Sequence, residues 1–207
     1  VELLTGAPMG AAEIASGTVV ASGAAMLPDL DHPQATVSRT FGKASQMFSK
    51  YFAKAMGGHR NGSHSIFFAA AIFFLLQHFF NTMNNPVWLA TGVTVFAAAL
   101  LFKVLTDSSG VVGFVLAAIV GATILSVTAN SGYEWIVYAV TVGILFHDLG
   151  DILTVEGVPL FYPISKHRLS IPLVGRTDSW REHATAGVCA VVAVFCLYQS
   201  VYSPIWD

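Results

Sequence analysis

Six apolar runs recur along the chain, at 14–27, 65–80, 87–105, 111–129, 135–153 and 184–202. Apolar residues predominate within each run. Several fall short of the ~20 residues that a crossing needs, the first two most clearly. The breaks carry turn chemistry: Asn84-Asn85-Pro86, Asp107-Ser108-Ser109-Gly110 and Asn130-Ser131-Gly132. Such short links join antiparallel neighbours. The pattern predicts an all-α fold, a polytopic membrane helical bundle of about six apolar segments, forming a single domain over 1–207.

Two longer polar stretches interrupt the runs, at 29–64 and 154–183. If the segments alternate in direction, both emerge on the same side as the turn beside Lys103. That side then carries all ten basic residues, Arg39, Lys43, Lys50, Lys54, Arg60, Lys103, Lys166, Arg168, Arg176 and Arg181. Basic residues collect on the cytoplasmic face, so the polar loops are expected there. Trp88, Tyr133, Trp135, Tyr202 and Trp206 fall near the opposite ends, where interfacial aromatics belong. Around 45–56, Met47, Phe48, Tyr51, Phe52 and Met56 interleave with Lys50 and Lys54. This pattern fits a helix lying in the membrane surface, or a small helix packed on the protein itself.

Composition agrees with a membrane class: 55% of residues are hydrophobic and 11% charged, with a mean hydropathy of +0.66. The net charge of -2 gives no reason to expect a nucleic-acid partner. Cys189 and Cys196 share an apolar run without metal-knuckle spacing and read as small buried apolar residues.

Ionisable residues cluster at the same ends as the basic ones. In Leu27-Pro28-Asp29-Leu30-Asp31-His32-Pro33, Pro28 disfavours helix at Leu27, which predicts an extended segment with Asp29 and Asp31 pointing the same way. Two carboxylates and an imidazole are suitable metal ligands, although solvated acids at a helix exit give the same pattern. In His59-Arg60-Asn61-Gly62-Ser63-His64-Ser65, Asn61 or Ser63 is expected to cap the second apolar helix. His64 would then fall in its first turn, and the free N–H groups with Arg60 would form an anion pocket. His147-Asp148-Leu149-Gly150-Asp151 closes the fifth run, where His147 and Asp151 stand one turn apart on a single face. Asp148 sits one position round, able to orient an imidazole. An acid at the centre of a membrane helix costs ~2.5–3.5 kcal/mol, which a bound cation would offset. Lys166 and Arg168 follow a Pro-rich loop and suit anionic headgroups. Glu182 and His183 stand at the start of the last run.

At these residues the chain resembles the YdjM-type family of LexA-regulated inner-membrane proteins, which are regarded as metal-dependent hydrolases. The likeness rests on LPDLDHP at 27–33, GHRNGSHS at 58–65, HDLGDILT at 147–154 and GVPLFYPIS at 157–165. It implies a bacterial inner-membrane protein with a metal centre drawn from Asp29, Asp31, His32, His59, His64, His147 and Asp151. Family members open with a Thr-His or Ser-His pair on an earlier helix, for which this chain has no counterpart. Either the site is complete without it, or an upstream helix with one more ligand precedes Val1.

The function expected first is hydrolysis at the cytoplasmic membrane surface, on a phosphoester of a lipid or lipid-linked molecule. One or two divalent ions, zinc first and manganese or iron next, would polarise the phosphoryl oxygen and acidify a water. Asp31 or Asp148 would act as general base. Arg60 and Ser63 would meet developing negative charge, with Lys166 and Arg168 also on the substrate. A metal or proton transporter is the alternative from another class, and a noncatalytic protein with a structural metal is a third. Clusters confined to one end argue against a transport route.

Overall fold

The computed structural model describes residues 10–106 and 110–175, with isolated helical positions between 180 and 195. Among the described residues it forms six helices: α1 (Ala11–Ala24), α2 (Lys43–Ala55), α3 (Ile66–Thr82), α4 (Val87–Thr106), α5 (Gly110–Val127) and α6 (Glu134–Ile152). Those residues form no β-strand. After α6 the chain folds back on itself through isolated bridges between Thr154 and Gly175 and between Val158 and Leu169. Five of the predicted apolar runs are thus helices, and the 45–56 pattern is α2. The sixth run, with Arg176, Arg181, Glu182, His183 and both cysteines, falls largely or wholly outside the described residues.

α1 is the inner helix. It packs on α6 and on α4, while α5 lies against α4 and α3 against α6. Its sequence, AAEIASGTVVASGA, explains this place, because small side chains let helix backbones come close. A Cβ on Gly23 would stand 2.0 Å from the Ala97 carbonyl oxygen of α4, and one on Gly143 of α6 would stand 2.2 Å from the Ala21 carbonyl oxygen. Val20, Ala24, Ala97, Ile136, Val140 and Ile144 fill the contact. At about 1.5 Å per residue α1 is ~21 Å long, shorter than an apolar bilayer core.

α4 and α6 are long and apolar enough to cross a membrane, and α3 and the Val112–Val127 part of α5 are shorter apolar helices. Large apolar side chains face outward: Phe74, Val112, Phe114, Ile119 and Phe146 are each more than half exposed. A belt of that kind needs an apolar surround. Trp88 is exposed at 77%, as an interfacial ring would be, whereas Trp135 is buried in the core and is not interfacial; Tyr202 and Trp206 are outside the described residues. Gly143→Ala is expected to destabilise the protein by ~1–3 kcal/mol by overpacking. Gly150→Ala on the same helix, where a Cβ meets nothing within 4 Å, should change little. Thermal unfolding in detergent compares the two.

Candidate metal centre

The loop before α2 and the loop after it close on one carboxylate. Pro28–Asp31 is a 3-10 turn and Leu27 keeps helical angles, so the expected extended segment does not form. The two acids therefore diverge. The side chain of Asp29 is 33% exposed, while that of Asp31 is fully buried. The cause is tertiary: Asp31 receives His59 Nδ1 at 2.7 Å, the Arg60 backbone N–H at 3.0 Å and the Ser63 hydroxyl. Arg60 reaches it through a left-handed backbone, φ 55, after Gly57 and Gly58 at φ 81 and 104. A non-glycine residue held there marks a constrained loop.

The capping expectation is also corrected. Ser65, not Asn61 or Ser63, caps α3 by accepting the Phe68 N–H. His64 thus stands before the helix, in a 3-10 turn at Gly62–His64. Ser63 is committed to Asp31, and the Ile66 N–H donates to the Leu160 carbonyl at 3.0 Å. The open anion pocket expected at this helix start is therefore filled by the protein's own groups.

His64 joins Asp31 to a second group of ligand atoms. Its Nδ1 lies 3.2 Å from the Ser63 hydroxyl and 3.4 Å from Asp31, an arrangement that turns Nε2 the other way. That Nε2 is 3.3 Å from His147 Nε2, 3.4 Å from Asp151 Oδ2 and 3.8 Å from Asp29 Oδ1. His147 Nε2 is 3.7 Å from both Asp29 Oδ1 and Asp151 Oδ2. Donors 2.0–2.1 Å from a tetrahedral ion stand ~3.3–3.4 Å apart, so these separations suit one divalent cation after a shift of a few tenths of an ångström. Asp29, His64 and His147 form a possible metal-binding group, their ligand atoms all within 4.8 Å of one another. Asp151 Oδ2 is buried beside them without a hydrogen-bond partner. A carboxylate oriented on the far nitrogen of a ligating imidazole is the usual support of such a centre. Asp31 stands in that relation to His64.

The electrostatics follow from this packing. Burial opposes the charge on Asp31, but hydrogen bonds from His59, His64 and Ser63 outweigh it and hold the carboxyl well below its usual range. Asp29 is lowered too, burial being outweighed by the His64 hydrogen bond and the positive field of His147 and His64. Burial also opposes the charge on His64, yet Asp29 and Asp31 overcome it and raise its pKa to about 9. A raised histidine stabilises the fold fully below its unfolded value of 6.5, and that contribution is lost as pH rises through about 9. Metal uptake must displace this proton. Apparent zinc affinity of the chelator-stripped protein is therefore expected to rise about tenfold per pH unit between pH 7 and 8. A flat response in an indicator competition would remove His64 from the proton-releasing group.

Arg60 is a clamp on carboxylates. Its guanidinium donates to Asp151 at 2.9 Å and to Glu156 at 2.7 Å. Glu156 was not singled out from the sequence, where it is one acid in a loop. Asp148 is 1% exposed, and neither of its carboxylate oxygens has a hydrogen-bond partner. His59 is engaged by Asp31 and its ring stands 4.6 Å from that of His32; neither belongs to the group of Asp29, His64 and His147. Lys166 is exposed and Arg168 donates to the Gly157 carbonyl at 3.4 Å; the structure does not bring them into the cluster. A largely apolar cavity of about 540 Å³ opens beside it, lined by His147 and Asp151 together with Met26, Phe146, Leu149 and Val174.

Four separated sequence motifs thus build one structure. The 27–33 turn gives Asp29 and Asp31, and the 58–65 loop gives His59, Arg60 and His64. The end of α6 gives His147 and Asp151, and the 157–165 loop packs beneath through Leu160 and through Tyr162 against Gly57. Together they define an all-helical protein with membrane-capable helices and a His/Asp group fit for a metal. The model of the YdjM inner membrane protein family matches residues 1–205, and the chain belongs to that family. No curated protein and no solved structure matches it.

Proposed function

We propose that this protein is a multi-pass, membrane-embedded metal-dependent hydrolase whose site faces the cytoplasm and acts on a phosphoester of a lipid or lipid-linked molecule. The observation that carries the reading is the meeting of Asp29, His64 and His147, from three separate segments, at the end of an apolar helix. A divalent cation held there would supply Lewis acidity towards a phosphoryl oxygen and acidity to a water. Zinc suits the mixed nitrogen and oxygen donors, as do manganese and iron.

The chain's own groups divide the remaining work. Asp31 fixes the His64 ring. Asp148, buried with both oxygens unengaged, is the carboxylate left to accept a proton. The exposed edge of Asp29 leaves a side of the cluster open to substrate, and the apolar cavity beside His147 and Asp151 suits a lipid better than a water-soluble ester. The cytoplasmic side rests on the basic residues, which prefer that face.

A structural metal is the second reading, favoured if Asp151 completes a closed four-donor shell. The test measures metal in the detergent-purified protein and phosphate release from a panel of lipid phosphoesters, for wild type and Asp148→Asn. The hydrolase reading predicts bound metal in both and turnover at least ~10²-fold lower in the variant. Metal without turnover on the panel would favour the structural reading, and no metal would sink both.

A further inference from the structure

We infer that α2 is a membrane-surface helix, with its outward face in the acyl–headgroup boundary of an anionic leaflet and its lysines on the phosphates. The helix leaves much of its apolar surface outward. Ser49 is buried, with Ser45, Gln46, Phe52 and Ala53 half-buried, while Met47, Phe48 and Tyr51 are 59%, 56% and 70% exposed. Lys43, Lys50 and Lys54 are all exposed, and helical spacing puts them on one stripe along the edge of that apolar face. An apolar face bordered by lysines complements an anionic bilayer surface.

The placement of α2 supports the same occupant. At its N-terminal end Phe41 stacks on Phe96 of α4, with ring centroids 6.1 Å apart, and Phe52 meets Phe68 of α3 edge-on at 6.0 Å. α3 and α4 are not packed neighbours. α2 itself packs mainly on the 3-10 turns at Pro28–Asp31 and Val37–Arg39 and touches α3 through Phe52. Under it an apolar cavity of about 350 Å³, lined by Leu30, Val37, Phe41, Phe48, Phe96 and Leu100, has room for an acyl chain. α2 also connects the loop carrying Asp29 and Asp31 to the loop carrying His59, Arg60 and His64, so its seating sets the depth of the metal centre.

The experiment uses the full chain with Cys189→Ala and Cys196→Ala, spin-labelled singly at Met47→Cys, Lys50→Cys or Tyr51→Cys. Each variant is reconstituted into phosphatidylcholine vesicles with and without phosphatidylglycerol. Labels at 47 and 51 are expected to be reached by oxygen and shielded from an aqueous nickel chelate, with the label at 50 reached by the chelate. Chelate access at 47 and 51 would overturn the inference in favour of a water-facing helix. Shielding from both reagents would overturn it in favour of a protein cover, whether a partner, a second copy or another part of this chain. In the natural cysteine background, Lys43→Gln, Lys50→Gln and Lys54→Gln together should lower retained phosphatidylglycerol relative to phosphatidylcholine in native mass spectrometry. About fivefold per lysine is the expected scale, and an unchanged ratio would refute the headgroup contact.

Discussion

His64→Ala is expected to strip the purified protein of metal and of any turnover that depends on it. The imidazole is fully buried, and its Nε2 stands 3.3 Å from His147 Nε2 and 3.4 Å from Asp151 Oδ2, so no water or neighbouring side chain replaces it without repacking. Asp31→Asn offers the informative contrast. Its oxygens are engaged by His59, Arg60 and Ser63, so it should act through the orientation of His64 and lower metal affinity by roughly 10–100-fold, less than His64→Ala. Zinc affinity measured by indicator competition, with thermal unfolding to confirm that each variant is folded, ranks the two. If Asp31→Asn lost metal more completely than His64→Ala, Asp31 would be the ligand and the assignment of inner and outer residues would reverse.

The His and Asp residues of the possible metal-binding group were legible from residue type and helical spacing, because those are local. His147 and Asp151 stand one turn apart on any helix, and α6 keeps that relation. The helices were legible for the same reason: continuous apolar runs end where Asn, Gly and Pro collect, and α3, α4, α5 and α6 begin and end within a few residues of those limits. The orientation of Asp29 against Asp31 was not legible, since it depends on a loop some thirty residues away that captures one carboxylate and leaves the other. Glu156 was hidden by the same distance, pairing with Arg60 across 96 positions. The small side chains of α1 carry the packing signal. Taken as a short and uncertain crossing segment, it is the helix around which α4 and α6 pack, and the Gly23 and Gly143 contacts show why its residues are small.

The second large effect is expected at Arg60, and it is one of stability. Arg60 and Asp151 have side-chain exposures of only 9% and 10%. Removing the guanidinium leaves this buried carboxylate chiefly the His64 ring, at 3.4 Å, to oppose its charge, so Arg60→Ala should cost up to about 3–5 kcal/mol in the metal-free protein. Glu156 is 67% exposed, so Glu156→Gln should cost under ~1 kcal/mol. Arg60→Lys should recover little, because one ammonium cannot reproduce a fork that holds two carboxylates at 2.7 and 2.9 Å. Unfolding in detergent, with chelator and with zinc, separates this clamp from the metal centre. Zinc should return part of the stability lost in Arg60→Ala, because a cation against Asp151 Oδ2 compensates the charge that the guanidinium had balanced. Adding Asp151→Asn to Arg60→Ala should recover stability only in chelator, where the buried charge is the liability. Equal losses with and without zinc would show that Asp151 faces the arginine alone and does not contribute to the metal centre.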